Sequence, residues 1–334
     1  MQPKASAARR HRHQRGAALL LAMLILGLVT TITAAMVWQQ QRAITVEAAE
    51  RARAQSSWIL LGALDWARLI LREDARSTGG RPPVDSLNEP WATPLAEARL
   101  STFLAADKDN NADTGPEAFI SGTIVDAQSR FNLRNLVTND GKPNLPQLEA
   151  FRRLAETAGA PTDTADRITA GLAGALLAGQ GAGSATAPIR PATVSDLAWL
   201  GVDSATLERL RPFVELLPVA TPVNANTASR EVLVAAIDNL DLGSAERLIQ
   251  ARQREPFQSF DALKAQLPAP AASAADAGRV GVASNWFEVT GRLRLEERVV
   301  EERSLLERNP QTQQVTVRRS ERRSLDAQTL AGGG

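Results

Sequence analysis

Arg15-Gly16-Ala17-Ala18-Leu19-Leu20-Leu21 joins a basic leader to an apolar run that carries no charge from Ala17 to Gln41. A secretory signal has an apolar core of about 7 to 15 residues and loses it on cleavage. The stretch from Ala17 to Trp38 instead approaches the roughly 20 residues that cross a bilayer as helix. A signal-type cut near Thr33-Ala34-Ala35 is the alternative, and the length of the run favours retention as an anchor over removal. Lys4, Arg9, Arg10, Arg12 and Arg15 stand in the leader without an acidic residue. That bias keeps the amino terminus in the cytoplasm and sends everything after Trp38 to the other side. Ile44, Ala48, Ala52, Ile59, Ala63, Trp66 and Ile70 then recur at three- and four-residue steps. The spacing predicts that the anchor continues as one amphipathic helix to Arg76, about 90 Å long at 1.5 Å per residue, with Trp58 and Trp66 in the core.

Composition removes several chemistries. The chain has no Cys and no Tyr, and its 2 histidines, His11 and His13, both lie in the leader. Disulfides, thiolate nucleophiles, Ser-His-Asp triads and histidine-ligated metals are therefore excluded from the body of the protein. The formal charge of +1 turns negative once the leader is set aside, so no general attraction for nucleic acid exists.

Strand-like and helix-like stretches alternate in blocks. Ala118 to Val125 is rich in Phe, Ile, Thr and Val and reads as a strand. Short polar residues follow it at Asp126, Asn132 and Asn135, where turns are favoured. From Leu145 to Leu267 helical periods dominate: Gln147 to Ala158, Asp163 to Ala178, Ser195 to Leu200, Ser204 to Val214, Ser229 to Asn239, Ser244 to Glu255 and Asp261 to Gln266. Gly179 to Pro191 and Pro268 to Ser273 read as Ala/Pro/Gly linkers. Strands resume over Trp286 to Leu295, Glu301 to Leu306 and Gln313 to Arg319, with a turn at Arg308 to Gln311. An all-helical block bracketed by strands points to an α+β head with a large helical insertion.

Gly16 before a small residue and an unbroken apolar helix resembles the class III leader of type IV pilins and type II secretion pseudopilins. The resemblance implies cleavage by a prepilin peptidase between Gly16 and Ala17. It also places Leu21 at the fifth mature position, where nearly all of these proteins have a glutamate. A carboxylate in a bilayer is kept only where a partner charge compensates it, and a subunit with nothing above it needs none. That departure, with the insertion, resembles the K-type minor pseudopilin. Asp126, Arg130, Phe131, Asn132, Leu133, Asn135 and Leu136 resemble the signature of that group, with Ser129 in place of its glycine. Asn224, Asn226, Thr227 and Ala228 resemble its helical part and equally the helix-hairpin-helix units of competence DNA receptors.

The resemblance implies a single-pass inner-membrane protein with its bulk in the periplasm. Its leader would be residues 1–16, its helix 17–76 with a membrane span over 17–38, and the first part of its head 77–136. An inserted all-α domain would cover 137–275, the closing strands 276–325 and a disordered tail 326–334. Its partners would be I-type and J-type minor pseudopilins, sometimes H, the prepilin peptidase and the inner-membrane secretion platform. Nucleic acid is not expected, because Asp241 stands where a DNA-gripping hairpin has its first glycine and would repel a phosphate. Asp107, Asp109, Asn111 and Asp113 alternate like the first half of a calcium loop, although Ala112 and Ala118 stand where such a loop has glycine and glutamate. Members of the resembled family bind calcium in the periplasmic part, so Ca2+ is a candidate ligand. A membrane-anchored DNA-binding module and a paired-carboxylate hydrolase are the competing functions, and no spacing singles out a catalytic carboxylate pair.

Overall fold

The computed structural model describes residues 10–77, 83–100, 118–181, 188–295 and 298–326. Helix α1 spans Arg10–Ser77. Its stretch from Ala17 is long and apolar enough to cross a membrane, and none of the most apolar window is buried within the protein. Thr30, Thr31 and Thr33 donate their hydroxyls to the carbonyls of Gly27, Leu28 and Val29, so these polar groups are satisfied inside the helix itself. Contacts divide the chain into one unit ending at Ile59 and a second running from Leu60 to Gly334.

In the second unit α1 buries Leu60, Leu64, Ala67 and Leu71. That face lies one residue round from the predicted stripe through Ile59, Ala63, Trp66 and Ile70. Trp58 is 73% exposed and Trp66 45% exposed, so neither sits in the core as expected. The run Trp58-Ile59-Leu60-Leu61 is apolar on every side, and periodicity alone cannot say which side a sheet covers.

That sheet has five strands in the order β1 (Leu95–Arg99), β2 (Ala118–Asp126), β7 (Trp286–Leu295), β8 (Arg298–Arg308) and β9 (Val315–Asp326). All its neighbours pair antiparallel. The sequence reading missed β1, because Leu-Ala-Glu-Ala-Arg lacks the branched and aromatic residues that favour strands. It also ended the last strand at Arg319 and began the tail at Asp326, whereas β9 runs on through the charged stretch to Asp326 as the edge of the sheet. Trp91 meets Phe287 edge-on at 5.3 Å, and both pack with Leu64, Ala67, Leu71 and Leu306. Gly122 and Gly291 face each other across β2 and β7. A Cβ on Gly122 would stand 3.0 Å from the Thr290 carbonyl, and one on Gly291 would stand 3.3 Å from Leu60. Gly122→Val is therefore expected to cost about 1–3 kcal/mol, measured as a lower denaturant midpoint at unchanged slope.

The helical block holds α2 (Leu145–Thr157), α3 (Thr164–Gly179), α4 (Ser204–Leu210), α5 (Arg230–Ala236), α6 (Leu242–Arg254), α7 (Phe260–Ala265) and α8 (Ala269–Ala274). Residues 269–274 were expected to be linker and form a helix, entered by Pro268 and Pro270 where missing amides cost nothing. Asp203, Ser229, Asp241 and Ser259 cap α4, α5, α6 and α7 through their side chains. Ser244, predicted as the start of α6, sits one turn inside it and serves Asp241 with its amide and hydroxyl. Phe131, Leu133 and Leu136 join the core of this block, where Phe131 stacks on Phe151 at 5.6 Å. Two short parallel pairings lie beside that core: β3 (Phe131–Asn132) with β4 (Val214–Glu215), and β5 (Val223–Asn224) with β6 (Val280–Gly281).

Candidate functional site

Asp126 ends β2 and caps the 3-10 turn that follows it by accepting from the Gln128 amide at 2.8 Å. Its other carboxylate oxygen accepts from Asn224 Nδ2 at 2.9 Å, Thr227 Oγ1 at 2.5 Å and Ser284 Oγ at 2.6 Å. One fully buried carboxylate thus gathers the end of β2, the entry to α5 and the segment before β7. Asn224 extends the junction by donating to the Asp85 carbonyl at 3.0 Å and to Ser284 Oγ at 2.9 Å.

The remaining asparagines do the work of absent strand neighbours. Asn226 donates to the Phe257 carbonyl at 3.0 Å and accepts from its amide at 2.9 Å, as a paired backbone would. Asn132 donates to the Val219 carbonyl at 2.7 Å and accepts from the Leu217 amide at 3.1 Å. Asn135 donates to the Thr221 carbonyl at 2.8 Å and accepts from its amide at 3.1 Å. Segment 217–226 runs with little regular pairing, so these amides satisfy backbone groups that burial would otherwise orphan. Arg130 pairs with Glu215 at 2.9 Å, and Ala228 is fully buried with its amide on the Asn224 carbonyl. Gln128, which the sequence reading did not single out, bonds the Pro222 carbonyl at 3.0 Å and the Asn285 amide at 2.7 Å.

A second cluster adjoins the first. Asp74 of α1, Asp85 and Glu89 bring carboxylate oxygens within 4.8 Å of one another. The cation among them is the Arg308 guanidinium, which reaches Asp74 at 2.8 Å and Asp85 at 2.5 Å, so the geometry is that of a buried ion cluster. Asp85 also accepts from the Ser284 amide at 2.8 Å, which links both clusters through adjacent atoms. Neither Asp85 nor Arg308 carries a local signal in the sequence, because most charged residues are solvated.

Burial raises the carboxyl pKa values here. Desolvation pushes Asp126 up to about 6 against the pull of its Ser284, Thr227 and Gln128 donors. It pushes Glu89 up to about 7, against the Trp91 indole that donates to it, and raises Asp74 and Asp85 despite Arg308. A carboxyl with a raised pKa binds its proton more tightly folded than unfolded. These groups therefore withdraw stability as pH climbs from the ordinary carboxylate range through about 6 and about 7. The thermal midpoint is expected to fall between pH 5 and pH 7.5, and Glu89→Gln is expected to flatten that fall. Parallel profiles for the two proteins would remove Glu89 as a cause.

Gly16, Ala17 and Leu21 lie on α1, with Leu21 59% exposed. The calcium candidates Asp107, Asp109, Asn111 and Asp113 lie outside the described residues, as does the tail from residue 327. Asp241 accepts from the Ser244 amide at 2.8 Å and from its hydroxyl at 2.7 Å. The positive end of α6 thus already faces a carboxylate, and a phosphate would have to displace it.

Comparison with known proteins agrees with this architecture. Two family models, each described as type II secretion system (T2SS), protein K, match residues 129–219 and 223–283. The type II secretion system protein K of Pseudomonas aeruginosa is 35% identical over 268 residues, covering 75% of this chain and 76% of its own length. That of Pectobacterium carotovorum subsp. carotovorum is 30% identical over 334 residues, covering 91% and 96%. A chain in the crystal structure of the GspK-GspI-GspJ complex from enterotoxigenic Escherichia coli superposes with a TM-score of 0.58 at 20% identity, over 82% of this chain and 98% of that one, and so shares the fold. With a long amino-terminal helix, an antiparallel sheet and a helical insertion spliced in by buried asparagines, the chain belongs to the type II secretion system protein K family.

Proposed function

We propose that this chain is a minor pseudopilin that caps the tip of the periplasmic pseudopilus and helps start its assembly with I-type and J-type partners. The observation that carries this reading is the shared fold with a complex whose name joins GspK to GspI and GspJ. Leu21 supports it, because a glutamate would cost several kcal/mol in the bilayer unless a neighbour's charge met it. The helical block supports it through bulk, since a second subunit stacked above would meet folded protein. The leader's positive charge favours a cytoplasmic amino terminus, the Gly16-Ala17 junction ahead of the apolar run favours prepilin-peptidase cleavage before Ala17, and a body without Cys or His favours a role without catalysis. Calcium held by Asp107, Asp109, Asn111 and Asp113 belongs to the same reading, and a calorimetric titration of wild type against Asp109→Asn tests it.

Co-expression with the peptidase, mass spectrometry of the mature terminus and co-purification with I and J subunits test the assignment. A mature chain beginning at Ala17 that carries both subunits and labels only one end of the fibre is expected. A start near Met36, or a processed chain that recovers neither subunit, would overturn it.

A further inference from the structure

Between the helical block and the sheet lies a groove of about 440 Å³. Leu172, Leu216, Leu217 and Leu305 form its buried apolar floor, and Arg134, Arg190, Arg318 and Arg319 stand around it. Two of these arginines have carboxylate partners: Arg318 pairs with Glu307, and Arg319 approaches Glu321 at 3.6 Å and Glu215 at 3.8 Å. Arg134 and Arg190 meet no carboxylate among the described residues. Arg134 spends one terminal nitrogen on the Val137 carbonyl and the other on Asn139 Oδ1 at 2.7 Å, while its Nε is buried without a partner. Among the described residues Arg190 reaches only the Pro218 carbonyl, at 3.5 Å.

The two charges oppose each other. Burial first, and the Arg190 charge second, hold the Arg134 guanidinium below its usual range. Residues 182–187, which lead toward Arg190, contain no Asp or Glu. Beside the groove, Ile189 is 77% exposed and Val219 49% exposed, next in the chain to Arg190 and Pro218.

We propose that this groove binds a polypeptide segment of a partner that presents carboxylates between aliphatic side chains. Guanidinium groups take planar carboxylates in bidentate geometry, and leucine floors take aliphatic side chains. Exposed Ile189 and Val219, chain neighbours of the lining residues Arg190 and Pro218, offer apolar side chains beyond the cavity itself, which suits a segment longer than a small organic acid. Among the described residues no aromatic ring lines the groove to stack a base, so single-stranded nucleic acid would have the arginines alone to hold it. The inference does not depend on the position of the chain in a fibre.

The test uses the full chain in neutral maltoside micelles and fluorescence anisotropy of two labelled peptides, Leu-Glu-Leu-Glu-Leu and Leu-Gln-Leu-Gln-Leu. The Glu peptide is expected to bind about tenfold more tightly than the Gln peptide, a preference that salt erodes. Arg134→Gln with Arg190→Gln is expected to bring the two peptides level, while Lys at both positions keeps part of the preference. Arg134 also holds the Val137 carbonyl, so Arg190→Glu, at an exposed position, serves as the variant that leaves folding intact and is expected to lose the preference alone. Equal binding of both peptides, no binding of the Glu peptide at millimolar concentration, or a preference that survives Arg190→Glu and the double substitution would each overturn the proposal. So would tighter binding of oligothymidylate through the same arginines, which would make the groove a polyanion site.

Discussion

Asp126→Ala is expected to lower the unfolding free energy of the head by about 3–5 kcal/mol, because the truncation removes the shared acceptor of several buried donors at once. Gln128 N, Asn224 Nδ2, Thr227 Oγ1 and Ser284 Oγ all point at this carboxylate within 2.5 to 2.9 Å, and Asp126 itself is 1% exposed. The hydroxyls of Thr227 and Ser284 can turn elsewhere, as Thr227 has the Asn224 carbonyl at 3.4 Å. The Gln128 amide is fixed by its backbone, whereas Asn224 Nδ2 keeps the Asp85 carbonyl at 3.0 Å and Ser284 Oγ at 2.9 Å. Asp126→Asn keeps the shape and one accepting oxygen but sets an NH2 against a fixed N–H, so its cost is expected to fall between zero and that of alanine, about 1–2 kcal/mol. The order wild type, Asn, Ala in denaturant midpoint checks the argument. Equal midpoints for Asn and Ala would mean that shape, not hydrogen bonding, is what Asp126 contributes.

How much of this was legible follows from how local each feature is. Helix α1 was readable because an uncharged run of membrane length needs no partner to declare itself, yet its buried face was misread by one residue among consecutive apolar side chains. Strand β2 and strand β7 announced themselves through Phe, Ile, Val and Thr, whereas β1 was silent because an edge strand of Ala, Glu and Arg owes its state to pairing with β2. Helix α8 was hidden by prolines that look like a linker and in fact sit at a helix start.

The polar junction was legible in part. Asp126, Asn132 and Asn135 stood out as short polar residues suited to turns and Asn224 and Asn226 through the resemblance of their segment, and Asp126 and Asn132 do cap turns. Their larger role lies in bonds that span from 31 to more than 100 positions of chain, such as Asn226 to Phe257, Asn132 to Leu217 and Asp126 to Thr227. No spacing rule reaches that far. Asp85 and Arg308 were missed for the same reason, with 223 positions between them and nothing local to mark either as buried.

Arg308→Met should therefore expose how closely the two clusters act together. The Arg308 side chain is 3% exposed, and its guanidinium holds Asp74 and Asp85, donates to the Ser284 carbonyl at 2.8 Å and lies 4.8 Å from the Phe287 ring centre. Methionine fills much of the same volume but leaves Asp74, Asp85 and Glu89 facing one another without a cation, which is expected to cost about 3–5 kcal/mol at pH 7.5. Since burial already raises all three carboxyls, protonation relieves the repulsion, and the penalty is expected to shrink as pH falls toward 5. A penalty equal at both pH values would point to lost packing against Phe287 instead of uncompensated charge. Asn224 touches both the Asp126 carboxylate and the Asp85 carbonyl, so the effects of Asp126→Ala and Arg308→Met are not expected to add. A coupling of about 0.5–3 kcal/mol in the double variant would make the end of α1, the sheet and the entry to the helical block one cooperative junction. Strict additivity would leave two independent clusters that happen to be neighbours.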